Sequence, residues 1–161
     1  MSQELLKAIV AGAVSIISAV IAIIVKNYLD KKKEDDQYRD VDKAIQEAVE
    51  GRWKGEINQT LNGNILFLEV IATFKVSNSG SIKGQMIIPY ENESFRLKCV
   101  GGFYSMRFIK MEYENHNKAI LQFGSMVFKL SDDCNKFEGY FVGYGHISKN
   151  LIAGSMVFTK D

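Results

Sequence analysis

The chain has 161 residues, enough for one modest domain and an appendage. Its 20 Lys and Arg against 19 Asp and Glu argue against a general binder of nucleic-acid polymers, which would carry a basic excess. Two cysteines, Cys99 and Cys134, with no CxxC and no histidine at ligand spacing give no zinc signature, so no metal or other cofactor is expected, and the cytoplasmic topology argued below makes free thiols the expected state.

Composition divides the chain into three parts in series, 1–26, 27–50 and 51–161. Residues 8–25 read AIVAGAVSIISAVIAIIV, eighteen positions without a charge. About 20 helical residues at 1.5 Å rise cross a hydrocarbon core of about 30 Å. Lipid offers no partner for free backbone polar groups, so the span is expected as one transmembrane helix rather than a signal peptide or a buried core helix. Lys26, Lys31, Lys32 and Lys33 follow the span and Lys7 alone precedes it. The positive-inside rule then puts the C-terminal part in the cytoplasm. Ala8, Ala11, Gly12, Ser15, Ala19 and Ala22 recur at spacings of three and four. Such a stripe of small residues lets membrane helices pack closely, which predicts self-association in the bilayer.

Residues 27–50 are dense in charge but keep helical spacing, with Tyr38, Val41, Ile45, Ala48 and Val49 on one face. They predict a charged helical stalk between anchor and domain.

From residue 51 the period changes to two, with Asn- and Gly-rich turn signals at regular intervals. The pattern predicts strands at 52–61, 65–76, 81–90, 95–100, 103–113, 118–130, 136–147 and 151–159. Eight short strands joined by hairpin-length loops predict an up-and-down antiparallel β-barrel, lipocalin-like, with a sandwich as the alternative. An apolar-x-Gly-x-apolar pattern recurs around Gly55, Gly84, Gly139 and Gly154. Glycine inside a strand marks sharp coiling or close backbone approach, which favours closure.

No triad spacing, phosphate loop, dinucleotide fingerprint or metal motif is present, so an enzyme is not expected. Five residues are candidates for binding. Arg107 falls among apolar neighbours on the expected fifth strand, where it would clamp a phosphate if that face points inward. If the face points outward, Arg107 is a solvated charge and Tyr104, Met106 and Phe108 are core. Tyr140, Tyr144 and His146 share a face of the seventh strand and are placed to stack on a base. Trp53, in Gly51-Arg52-Trp53-Lys54-Gly55, reads as an interior plug near a barrel end. Arg96 and Lys98, opposite the apolar Phe95, Leu97 and Cys99, are expected to face solvent.

This layout of anchor, short charged stalk and a terminal domain opening with Trp53-Lys54-Gly55 resembles the membrane-anchored β-barrel effectors of bacterial cyclic-oligonucleotide (CBASS-type) anti-phage signalling. Members of that family typically carry two membrane helices, and this chain shows one. The resemblance implies a barrel that binds a cyclic di- or oligonucleotide second messenger and an anchor that assembles to disrupt the inner membrane. The competing expectations are a membrane-tethered, lipocalin-like carrier of a small apolar ligand and a passive membrane scaffold.

Overall fold

The computed structural model describes residues 25–26, 41–61 and 63–161. The small-residue stripe and all of the expected membrane span except Val25 lie outside them, as do residues 27–40 of the expected stalk. Among the described residues no helix is long and apolar enough to cross a membrane.

Among the described residues from 41 on, a short helix, α1 (Lys43–Val49), precedes eight strands: β1 (Gly51–Leu61), β2 (Asn64–Val76), β3 (Ser81–Tyr90), β4 (Glu93–Ser105), β5 (Phe108–Asn115), β6 (Phe123–Leu130), β7 (Lys136–Gly145) and β8 (Asn150–Lys160). Each strand pairs antiparallel with its neighbours in order, and β8 pairs with β1 from Trp53↔Lys160 to Gln59↔Gly154, closing the barrel. Closure leaves no unpaired strand edge. The sandwich alternative is excluded.

Alternation decides what fills the barrel. Inward positions hold Trp53, Phe74, Ile82, Met86, Phe103, Ile109, Met111, Met126, Phe128, Leu130, Phe137 and Phe158, all buried. The strand glycines allow so small a barrel to coil. A Cβ on Gly139 would lie 2.1 Å from the Val127 carbonyl oxygen of β6. The repeated Gly-Ser-Met-Val-Phe segments fall in β6 and β8, where each turns its Met and Phe inward.

Three expectations need correction. Residues 118–122 of the expected sixth strand belong to the β5–β6 connection, and β6 begins at Phe123. Gly101-Gly102 is no turn: both residues lie inside β4, and a Cβ on Gly101 would sit 2.0 Å from the Lys110 carbonyl oxygen. The chain instead reverses at Met106 and Arg107, between β4 and β5. The expected fifth strand is thus split between β4 and β5, and of its two faces the one with Phe103, Ile109 and Met111 points inward. Tyr104, Met106 and Phe108 face solvent. The end of the expected stalk is also more than a spacer. Val41 and Val49 are buried in the barrel's own core, with Ile45 packed against it. Asp42 caps α1 by accepting the Ala44 N–H at 2.9 Å.

Candidate functional site

An up-and-down meander gathers alternate hairpin turns at opposite ends. One end carries α1, the β2–β3, β4–β5 and β6–β7 turns and both chain ends of the barrel. Trp53 lies fully buried there, with Phe137 at 4.2 Å between ring centroids. Its indole N–H donates to the Val49 carbonyl at 2.9 Å. The Lys160 ammonium donates to the carbonyls of Ala48 and Glu50 and sits 4.8 Å over the Trp53 ring. The carbonyls at the helix C-terminus, which have no intrahelical partner, are thus taken by barrel side chains. Burial holds the Lys160 pKa below its ordinary value. Trp53 is the plug its sequence context suggests, and it has no route to a ligand.

The β1–β2, β3–β4, β5–β6 and β7–β8 connections surround the other end. Between them lies a shallow apolar cup floored by Ile88, Phe95, Phe141 and Ile152 and rimmed by Gln59, Tyr90, Gln122, His146 and Ser148. His146 is exposed in the β7–β8 turn, its ring 6.1 Å from that of Phe95. The negative charge of Glu91, helped by burial and a hydrogen bond to Glu91, raises the Tyr90 pKa and keeps that hydroxyl a donor. The cup holds only about 50 Å³. Drug-sized ligands occupy about 300–1,000 Å³. The cup therefore suits a water or the edge of a ring, and a whole nucleotide or lipid does not fit inside. The lipocalin-like label holds for topology and fails for an interior ligand chamber.

The other sequence candidates lie elsewhere. Arg107 is half-exposed in the β4–β5 turn. It donates to the Ser131 carbonyl at 2.6 Å and lies 3.4 Å from the Asp132 carboxylate, so it ties two turns together at the helix end. It clamps no phosphate inside the barrel, because the reversal at 106–107 takes it off the inward face. Tyr140 and Tyr144 point outward from β7, and His146 lies beyond the strand, so the three form no common stacking face. The tyrosines join an uncharged outer wall. Phe123, Ser125 and Val127 of β6 and Leu151, Ala153 and Ser155 of β8 flank Tyr144, Val142 and Tyr140 across the registers. Sequence reasoning missed Tyr90, Gln59 and Gln122 at the mouth, and the only available signal was their place beside alternate hairpin turns.

Two buried acids are inert. Burial pushes the Cys99 thiol up to about 12, and burial reinforced by Cys99 pushes the Tyr113 hydroxyl up to about 12. A thiol held protonated is no nucleophile. Among the described residues no group of three His, Cys, Asp or Glu side chains gathers as a metal site.

No family model and no curated protein matches the chain. Among solved structures it is similar to a redesigned β-barrel, with a TM-score of 0.59 and 7% identity over 73% of this chain and 95% of that one. It is likewise similar to EF1p2_mFAP2b, solved bound to DFHBI, with a TM-score of 0.60 and 5% identity over 71% of this chain and 95% of that one. At such identity the likeness establishes the class, a closed antiparallel β-barrel, and nothing of function.

Proposed function

We propose that the protein is a membrane-tethered effector whose barrel reads a cyclic di- or oligonucleotide from outside and whose N-terminal span assembles in response. One observation weighs most among the alternatives. The interior is filled by aromatic and aliphatic side chains, and the remaining cup of about 50 Å³ is too small for the cargo of a carrier. A barrel sealed at one end and rimmed with donors at the other is suited to recognition at its surface. The uncharged run at 8–25 and the lysines after it favour a tether with the barrel in the cytoplasm, and the resemblance to the CBASS-type effectors makes that membrane the inner membrane of a bacterium. A single span forms no pore alone, so membrane disruption requires several copies, which the small-residue stripe is suited to pack. The ligand drives that step only by binding the assembled state more tightly than the dispersed one.

The test uses the full chain in dye-loaded liposomes exposed to a panel of cyclic dinucleotides. At least one should release dye, and Gly12→Leu with Ser15→Leu should abolish release while leaving nucleotide binding intact. Release without ligand, or none with any member of the panel, would contradict the reading.

A further inference from the structure

We propose that the outer wall formed by β2, β3 and β4 is a binding groove for a small ligand bearing two or more phosphate groups. The groove has a volume of about 520 Å³, within the range of small-molecule sites and about tenfold larger than the cup at the mouth. Four cations line it: Lys75, Lys83, Arg96 and Lys98. Strand register brings them together. Lys75 stands directly opposite Lys83, and Gln85 stands between Thr73 on one side and Lys98 on the other. Arg96 follows one rung along β4, opposite Ile87, and the backbone N–H of His116 donates to the Arg96 carbonyl at 2.8 Å. Rungs and diagonals of a sheet separate such side chains by roughly 5–8 Å, a span that long cationic side chains close around one ligand.

Of the four charges only Lys98, among the described residues, has an acid near it: Lys118 lowers the Glu114 pKa most, by hydrogen bond and charge, and Lys98 lowers it further. Among the described residues none of the four has a carboxylate within ion-pairing distance. Their neighbours on β1 differ: Arg52 and Lys54 are tied to Asp161 at 3.1 and 2.5 Å. Glu114 stands opposite Lys98 across β4 and β5, but its carboxylate is taken by Lys118 at 2.5 Å. Like charges placed directly opposite on a sheet destabilise it, so the Lys75–Lys83 rung is a cost to the fold that a bound anion would relieve.

Shape and extent select the ligand class. Between the cations stand further hydrogen-bonding groups, Thr73, Gln85 and the exposed His116, along an open groove. A bilayer would instead favour projecting apolar side chains beside the cations. The acids Glu56 and Glu69 on β1 and β2, and Glu112 and Glu114 on β5, bound the patch. Strand spacing near 4.8 Å makes a three-strand patch roughly 10 Å wide, enough for one compact polyphosphate and short for a nucleic-acid track. The groove stands on the wall itself, and a cyclic dinucleotide is one member of the class it would take.

The test is calorimetry of the full chain in detergent at low ionic strength, with inorganic tripolyphosphate as probe. Saturable one-to-one binding is expected, weakened by salt. Lys83→Gln with Lys98→Gln should weaken it at least about tenfold for each lysine lost. Lys129→Gln with Lys149→Gln, away from the groove, should leave it unchanged. All are exposed residues, and unaltered thermal melting of each variant confirms folding. No saturable heat, equal affinity in the groove variant, or equal loss in the control variant overturns the site. Affinity for oligodeoxythymidine that grows with length would make the wall a polymer surface and also overturns it. Tripolyphosphate binding without any response to cyclic dinucleotides keeps the groove and removes the proposed messenger. Cyclic-dinucleotide binding untouched in the groove variant does the reverse.

Discussion

At the end of the barrel where β1 begins, parts distant in sequence are knotted together. The helix carbonyls of Ala48, Val49 and Glu50 are held by Trp53 and Lys160, and Arg107 binds the neighbouring turn through Ser131. At the mouth most ties are local, apart from the His116 N–H that donates to the Arg96 carbonyl of β4 at 2.8 Å. Asn115 pairs with Gln122 at 2.9 Å and with the Asn117 N–H at 2.9 Å, and Ser148 donates to the Gly145 carbonyl at 3.2 Å. Long-range ties make one end a fixed unit with α1. Local ties leave the mouth turns free to vary without unfolding the barrel, the usual arrangement for loops that carry function on a rigid scaffold. Long-range ties thus gather at one end of the barrel and mostly local ties at the other.

Substitutions can break that contrast. The largest effect belongs to Trp53→Ala, which removes the plug and the Val49 partner together. It should cost about 4 kcal/mol in denaturant unfolding, and a loss below about 1 kcal/mol would mean the end is not sealed as described. Gly101→Ala comes next. Its methyl would meet the backbone of β5, so a loss of about 3 kcal/mol is expected, with normal binding per folded molecule. Lys160→Met leaves two helix carbonyls to solvent and should cost about 1–2 kcal/mol, with faster amide exchange in α1 but not in the mouth turns. His146→Ala, at the mouth, should move stability by less than about 0.5 kcal/mol, and a larger loss would erase the distinction.

Alkali sharpens the account from the interior. Tyr113 and Cys99 hold their protons in the fold up to about 12, whereas the unfolded chain releases them near 10.0 and 9.0. The unfolded state then binds fewer protons than the native one, so stability falls as pH rises from about 9 toward 12. Cys99→Ala should flatten the lower part of that decline in a pH series of melting temperatures.

The barrel was legible from alternation and turn residues because a period of two is a local property. The break between β4 and β5 was not. Gly101-Gly102 has turn composition but serves close packing, while the true reversal uses Met106 and Arg107, which carry no turn signal. That one misplaced turn carried Arg107 into the interior of the expected strand. The apolar face of Val41, Ile45 and Val49 was visible too, but its partner, the barrel's own end, was not, because helical periodicity says nothing of what covers a face. Arg96 and Lys98 were correctly expected to face solvent. Their company with Lys75 and Lys83 depends on cross-strand register, which residues more than ten positions apart do not declare.

The most direct measurement is calorimetry of the full-length protein, in detergent, against individual cyclic dinucleotides. Saturable binding of one ligand per barrel, retained in Trp53→Phe, is the predicted result. Absence of heat with every cyclic dinucleotide tried, from protein shown to be folded, would contradict the central claim.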